Sequence, residues 1–192
     1  VTDKIIMAVL ARGHVLLEDV PGVGKTTTAL ALCRLMGMDF NRIQFTPDVV
    51  PSDVTGFTMY EKQTGKFIYR PGAVMCNMLL ADEINRTSSK TQAALLEVME
   101  EGKVTVDNET HPVPQPFVVI ATENPTGSSG TQMLPESQLD RFMISLSMGY
   151  PDHENLVELL RDRQTTNPLE KATAVITKEE VVMLQDQVQK VY

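Results

Sequence analysis

Short stretches of this sequence carry residues whose types and spacing suit phosphate chemistry. The first is residues 18–27, EDVPGVGKTT, which stand between the apolar residues 15–17 and 29–32. Small residues before Lys25 let successive backbone N–H groups face phosphate oxygens at the N-terminus of the following helix. Lys25 adds a positive charge for the outer phosphates, and the Thr26 hydroxyl can bind Mg²⁺. The stretch therefore predicts a phosphate-binding loop between a strand and a helix.

The residues expected to contact a nucleotide are those of the loop and the first positions after it. They are Pro21, Gly22, Val23, Gly24, Lys25, Thr26 and Thr27. The loop departs from the common pattern G-x-x-x-x-G-K-[ST] at one position, because Asp19 replaces the first glycine. Aspartate tolerates a left-handed backbone better than most residues, so the turn can form if its carboxylate points away from the phosphates. A chance glycine-rich turn is the alternative, which the flanking strand and helix patterns disfavour.

An acidic pair follows a second apolar run. Residues 75–81 are almost wholly apolar, and Asp82 and Glu83 come directly after them. At the end of a buried strand, Asp82 would hold Mg²⁺ through water and complement Thr26, and Glu83 would orient and polarise the attacking water. Acids at a strand end often cap the next helix instead, so the pair alone is weak evidence. Its position after a phosphate-binding loop favours the catalytic interpretation.

A third stretch, residues 117–125 (FVVIATENP), delivers Asn124 to the end of another predicted strand. Ligands of open α/β sheets bind at the carboxyl ends of the strands. The uncharged amide of Asn124 could therefore reach a γ-phosphate or its attacking water. The alternative is that Asn124 caps a turn before Pro125. We favour the functional interpretation because neighbouring predicted strands also end in chemically suitable residues.

Composition limits the classes of function that fit the chain. The sequence has 192 residues, of which 42% are hydrophobic, and a formal net charge of -8. The length predicts one domain, or one domain plus a fragment, and the charge argues against a broad duplex-DNA surface. Cys33 and Cys76 are isolated in apolar stretches, which indicates neither a disulfide framework nor a zinc site and suggests a reduced, cytoplasmic setting. No apolar run reaches the roughly 20 residues that span a bilayer.

Alternating strands and helices are expected to position these groups. Strands are predicted at residues 14–17, 42–45, 75–81, 117–121 and 144–148, and helices at 2–11, 26 to about 37, 89–102, 152–163 and from 177. Residues 89–92 and 177–180 fit capping boxes. Hairpins are predicted at residues 57–70 and 103–116. The tip of the first hairpin is polar, which suits either a solvated surface or a partner contact. His14 is expected to be structural, because no other ligand residue stands at metal-binding spacing from it.

Taken together, the motifs resemble those of a known family. In order, DVPGVGKT, LLADEINR, TQAALLEVMEEGKVTV, VIATENP and LPESQLDRF resemble the MoxR family of AAA+ ATPases, over about residues 15–151. The resemblance implies an α/β fold with a P-loop NTPase (AAA+) core. In such a core a five-stranded parallel sheet is flanked by helices, the phosphate-loop strand lies near its middle, and two β-hairpin insertions and the start of a helical lid are added. The implied division is an AAA+ core over residues 1–164 and a linker with the first lid helix over 165–192.

The resemblance also implies roles that spacing alone does not assign. Asn124 would be the sensor 1 residue, and Arg141 would be an arginine finger that enters the neighbouring subunit's site. Arg86 is a second candidate for such a trans-acting arginine, and for both arginines an intramolecular ion pair is the alternative. An adenine-contacting segment is expected before Val1, and a sensor 2 arginine is expected after Tyr192.

The sequence therefore predicts an enzyme that hydrolyses ATP with Mg²⁺ and works as a ring, a hexamer by resemblance. Its expected action is chaperone-like remodelling, assembly or cofactor insertion of client proteins, with a von Willebrand factor A domain protein among the expected partners. A magnesium-chelatase-like motor subunit is one alternative. A scaffold that binds nucleotide without turnover is another, which Glu83 disfavours.

Overall fold

The structure is a computed structural model that describes residues 1–18, 22–124, 133–149, 169 and 172–191. Its strands, in chain order, are β1 (Val15–Glu18), β2 (Phe40–Gln44), β3 (Gly56–Glu61), β4 (Lys66–Pro71), β5 (Met78–Asp82), β6 (Lys103–Val106), β7 (Glu109–Pro112), β8 (Val118–Glu123) and β9 (Ile144–Leu146). Its helices are α1 (Thr2–Leu10), α2 (Lys25–Leu35), α3 (Pro51–Thr55), α4 (Ser89–Glu101), α5 (Glu136–Leu139) and α6 (Lys178–Val188), with a 3₁₀ turn at Ile84–Arg86. None of the helices in this part of the chain has the length and apolar character needed to cross a membrane.

The central sheet has five parallel strands in the order β2-β5-β8-β1-β9, which confirms the predicted α/β architecture. The strand before the phosphate loop, β1, lies beside the central strand β8. Strands β5 and β8 are buried along almost their whole length. Burial on both faces explains why these segments are continuous apolar runs instead of alternating ones.

Helices cover both faces of the sheet and enclose two apolar cores. On one face, α1, α2 and α6 pack against residues such as Val15 and Leu17. On the other, α3 and α4 pack against a second set that includes Leu16 and Leu79. Side chains of adjacent strand residues point to opposite faces, so β1 contributes to both cores. Asp82, at the carboxyl end of β5, and Asn124, directly after β8, belong to neither core and can form a site.

Two β-hairpins extend from this core, as predicted. Strands β3 and β4 form the first and β6 and β7 the second. The second has a two-residue turn in which Asp107 and Asn108 both have positive φ, the geometry that matches the twist of paired strands. The hairpins touch through Tyr69 and His111, whose rings stack at 3.9 Å.

Some boundaries differ from those predicted. Strand β5 begins at Met78, because residues 75–77 form a bend in which the Asn77 amide bonds to the backbone of Asp39 and Pro116. The cap of α4 is Ser88, whose hydroxyl accepts a hydrogen bond from the N–H of Thr91, so the predicted capping box at residues 89–92 is wrong by one position.

Thr177 and His14 have the roles that the sequence predicted. The capping box between Thr177 and Glu180 is confirmed. His14 is structural: its Nδ1 accepts a hydrogen bond from Val119 N–H, and its Nε2 donates one to the Met99 carbonyl. Burial lowers the pKa of His14, which favours the neutral ring. The predicted helix at residues 152–163 and the domain boundary at residues 164 and 165 lie outside the described residues.

Candidate nucleotide-binding site

The phosphate loop enters helix α2 through two glycines in left-handed conformations. Gly22 and Gly24 both have φ of 90°, and Gly24 is the N-cap of α2. A Cβ built on either glycine meets no atom within 4 Å. The conformation, and not crowding, therefore requires glycine here. Pro21 and Asp19 lie outside the described residues.

One cavity of about 400 Å³ gathers most of the predicted site residues. Its lining is Gly22, Gly24, Lys25, Thr26, Thr27, Arg42, Gln44, Asp82, Glu83 and Asn124. Val23 stands between two lining glycines but does not line the cavity itself, and Arg141 lies elsewhere. Arg42 and Gln44 were not predicted from the sequence.

Parallel strand order explains why these distant residues meet. Asp82 ends β5, Gln44 ends β2, and Asn124 follows β8, while the phosphate loop follows β1. All four strands point the same way, so their carboxyl ends form one edge of the sheet. Gln44 lies directly opposite Asp82 in the register of β2 and β5. The cavity is therefore built at this edge, with the N-terminus of α2 as one wall.

Thr122 holds both acidic residues in place. Its hydroxyl donates to Asp82 Oδ1 at 2.6 Å and accepts from the backbone N–H of Glu83 at 2.9 Å. Glu83 has a left-handed backbone, with φ of 55°, which is strained for a residue other than glycine. Thr122 is fully buried on β8. Sequence reasoning missed it, although a polar residue in an apolar strand next to Asn124 was an available signal.

The other contacts of the two acids come from strand β2 and from the turn after β5. Asp82 Oδ2 accepts a hydrogen bond from the Arg42 guanidinium at 2.7 Å. Glu83 Oε2 accepts from Gln44 Nε2 at 2.9 Å and from Arg86 Nη1 at 2.8 Å. Arg86 thus forms the intramolecular ion pair that was one of its two interpretations.

The end of β8 is tied to the turn after the acids. The Asn85 side-chain amide donates to the backbone carbonyl of Asn124 at 3.2 Å. Asn85 is fully buried. This bond links the 3₁₀ turn after Glu83 to the end of the neighbouring strand.

Glu123 is a buried acid beside the cavity that sequence reasoning also missed. It is 4% exposed, and its Oε1 has no hydrogen-bond partner among the described residues. Burial raises the pKa of this carboxyl group, and the nearby charge of Glu18, its register partner on β1, raises it further. The protonated form is therefore favoured relative to an exposed glutamate.

Arg141 lies at the opposite edge of the sheet. It follows α5 and precedes β9, so it sits at the amino ends of the strands, away from the phosphate loop of its own chain. Its guanidinium pairs with Glu100 of α4 at 3.0 Å and donates to the carbonyl of Ser137 at 3.1 Å. An intramolecular ion pair is therefore present, and the arginine faces away from its own cavity as expected.

The donor set of the cavity suits Mg²⁺ bound with a nucleotide. Thr26 supplies a hydroxyl and Asp82 a carboxylate whose side chain is 15% exposed. Among the described residues, no three His, Cys, Asp or Glu side chains come together as a metal-binding group. Mg²⁺ commonly takes one or two protein ligands and completes its shell with water and phosphate oxygens, so the residues present fit this ion.

Comparison with known proteins agrees with this geometry. Residues 14–144 match the model of the ATPase family associated with various cellular activities (AAA). The chain is 55% identical to the uncharacterized protein YeaC of Bacillus subtilis, over 97% of the chain and 58% of that protein. It is 42% identical to Chaperone MoxR1 of Mycobacterium tuberculosis, over 96% of the chain and 48% of that protein. The chain thus spans about half the length of these relatives.

A solved structure matches the fold closely. The crystal structure of a candidate ATPase from Cytophaga hutchinsonii superposes with a TM-score of 0.89 and is 40% identical in sequence. The match covers 98% of this chain and 57% of that one. At this identity the likeness extends beyond the general fold.

Proposed function

Because the chain belongs to the MoxR family of AAA+ ATPases, we propose that it binds ATP with Mg²⁺ and hydrolyses it to ADP and phosphate. The observation that carries the proposal is the meeting of Lys25, Asp82, Glu83 and Asn124 around one cavity. A chance glycine-rich turn gives no reason for an acidic pair and an amide to converge on it from two other strands.

The loop and the first turn of α2 bind the nucleotide in this proposal. The backbone N–H groups around Gly22 and Gly24 and the N-terminus of α2 receive the phosphate oxygens. Lys25 places its charge on the outer phosphates, and Thr26 and Asp82 hold Mg²⁺. The metal, when bound, neutralises charge that develops on the phosphate oxygens.

Glu83 and Asn124 act on the attacking water. Phosphoryl transfer needs little covalent chemistry from the protein, so orientation of the water supplies much of what these residues can contribute. The Glu83 carboxylate accepts a hydrogen bond from that water, and the Asn124 amide donates one to the water or to the γ-phosphate. The bonds from Gln44 and Arg86 keep the carboxylate at the cavity wall before nucleotide binds.

In this proposal the energy of ATP hydrolysis drives chaperone-like remodelling or assembly of client proteins by a ring of subunits. The relative named Chaperone MoxR1 supports this class of action, and AAA+ proteins commonly form rings. Arg141 would complete the neighbouring subunit's site, because it lies at the edge of the sheet opposite its own cavity. A protein with a von Willebrand factor A domain is the partner that the family resemblance suggests.

Nucleotide titration of the intact protein tests the proposal. Lys25→Ala should weaken binding of a fluorescent ATP analogue by about 10- to 100-fold, the value of one hydrogen bond to a charged group. Lys4→Ala, which removes an exposed lysine of α1, is the matched control and should bind normally. Equal affinity of the two variants would overturn the site, and Mg²⁺-independent phosphate release would overturn the metal assignment.

A further inference from the structure

Arg42 is a positively charged residue of the nucleotide cavity to which the proposed function gives no role. It lies on β2, two residues before the end of the strand, and lines the cavity with Lys25 and Asp82. Its Nη2 lies 2.7 Å from Asp82 Oδ2 and 3.0 Å from Gln44 Oε1. The Arg42 guanidinium is therefore hydrogen-bonded to an oxygen of Asp82, the carboxylate that is proposed to bind Mg²⁺.

Both oxygens of Asp82 already have hydrogen-bond donors. Oδ1 accepts from Thr122 and Oδ2 from Arg42. The Asp82 side chain is 15% exposed, and a carboxylate buried to this degree is costly without an opposite charge. Arg42 supplies that charge while the metal is absent. A divalent ion held by this carboxylate, directly or through water, would add positive charge beside the guanidinium, and the two would repel.

We propose that Arg42 is a positioning residue that pairs with Asp82 before nucleotide arrives and must leave it when Mg²⁺ binds. The inference rests on the proposed function, since Mg²⁺–nucleotide must be the ligand of this cavity. The Arg42 side chain is 47% exposed, so it can swing away while β2 stays in place. Its departure also removes a hydrogen bond from Gln44, whose amide donates to Glu83 at 2.9 Å.

Competition between Arg42 and Mg²⁺ for Asp82 predicts a change in the Mg²⁺ dependence of nucleotide affinity that general damage to the site would not produce. Arg42→Gln removes a positive charge from the cavity, so nucleotide affinity without metal should fall. The same change leaves Asp82 without its competing cation, so the gain in affinity that Mg²⁺ provides should rise. By linkage, the ratio of nucleotide affinities with and without Mg²⁺ measures the coupling directly.

The experiment is a titration of the intact protein with a fluorescent non-hydrolysable ATP analogue, first in EDTA and then across Mg²⁺ concentrations. In Arg42→Gln the Mg²⁺ concentration for half effect should fall about 1.5- to fivefold, the range expected for a partly exposed ion pair. Arg42→Lys, which keeps the charge but lacks the planar fork, should give a smaller fall and tests the proposal even if Arg42→Gln does not fold. Binding of Mn²⁺ with the same analogue, followed by electron paramagnetic resonance, should shift in the same direction.

Arg70→Gln is the matched control. Arg70 lies on β4, and its ion-pair partner Glu61 is 3.9 Å away on the adjacent strand of the hairpin. Its Mg²⁺ dependence should equal that of the wild type. If wild type binds Mg²⁺–nucleotide but the Mg²⁺ requirement of both Arg42 variants is unchanged or higher, the inference is overturned and the proposed function stands. If wild type binds no nucleotide, both are overturned.

Discussion

Thr122→Val tests whether the hydroxyl between the two acids is needed for catalysis. Valine has nearly the shape of threonine, so the buried packing on β8 is kept while both hydrogen bonds are lost. Asp82 Oδ1 then loses a donor at 2.6 Å, and the Glu83 N–H loses its acceptor at 2.9 Å. Glu83 is also released from the contact that holds its left-handed backbone.

The expected magnitude follows from these two bonds. A hydrogen bond to a charged group contributes about 1.5 to 3 kcal/mol, and an unpaired buried N–H costs about 1 to 3 kcal/mol. The two terms share one hydroxyl and are not additive. We therefore expect the free energy of unfolding to fall by about 2 to 4 kcal/mol. Turnover should fall by about 10- to 100-fold, as found when groups that orient metal ligands are removed.

The assay pairs Mg²⁺-dependent phosphate release with thermal unfolding, both on the intact protein. Thr122→Ser keeps the hydroxyl and is the matched control, so its turnover should stay close to that of the wild type. Thr105→Val removes a hydroxyl from the exposed pair on the second hairpin and controls for the substitution itself. Wild-type turnover in a folded Thr122→Val variant would refute the positioning role of Thr122.

Other predictions concern charge and the division of roles. Glu123→Gln should raise the free energy of unfolding at about pH 8 and have little effect near pH 4.5. A raised carboxyl pKa gives stability that is present below the unfolded pKa and is lost as pH rises through the folded pKa. Denaturant unfolding at both pH values measures this, and an equal effect at both would contradict it. Glu83→Gln should keep Mg²⁺–ATP binding and lower phosphate release by about 100-fold or more, while normal release would place the water-orienting role elsewhere. Arg141→Ala should keep binding and lower turnover by about 10³- to 10⁵-fold, and mixing it with Lys25→Ala should restore part of the activity if the arginine acts across an interface. Mixed assemblies without recovered activity would leave Arg86 as the arginine to test.

The residues that could be predicted from the sequence are those marked by a local pattern. Asp82 and Asn124 each follow an apolar run, and Lys25 follows a glycine-rich turn, so each was recognisable within a few positions of its own segment. The parallel sheet then brings the ends of those segments together. Such patterns do not require knowledge of which strands are neighbours.

The residues that were missed depend on strand order and register. Gln44 reaches Glu83 only because β2 lies beside β5, and Thr122 reaches Asp82 only because β8 lies on the other side of β5. The order of strands in the sheet differs from their order in the chain, so sequence spacing does not reveal these pairs. Arg42 was missed for the same reason. Its partner Asp82 lies on the neighbouring strand β5, which is far from β2 in the sequence.

The positions of Lys25 and Arg141 constrain how a complete site could form. Lys25 begins the helix at the carboxyl edge of the sheet, while Arg141 precedes β9 at the amino edge and pairs with Glu100. Strands are not deformable enough to bring these two edges together within one subunit. If an arginine is to stabilise charge on the transferred phosphate in addition to Lys25, it must be one near the cavity, such as Arg42 or Arg86, or Arg141 of another subunit. Arg86 is bound to Glu83, an acid that the chemistry uses, whereas Arg42 leaves Asp82 when Mg²⁺ binds under the proposal above and is then available. Arg141 pairs with a residue outside the cavity, so its recruitment by a neighbouring subunit would break no bond to either acid, and the mixed-variant experiment distinguishes it from Arg42.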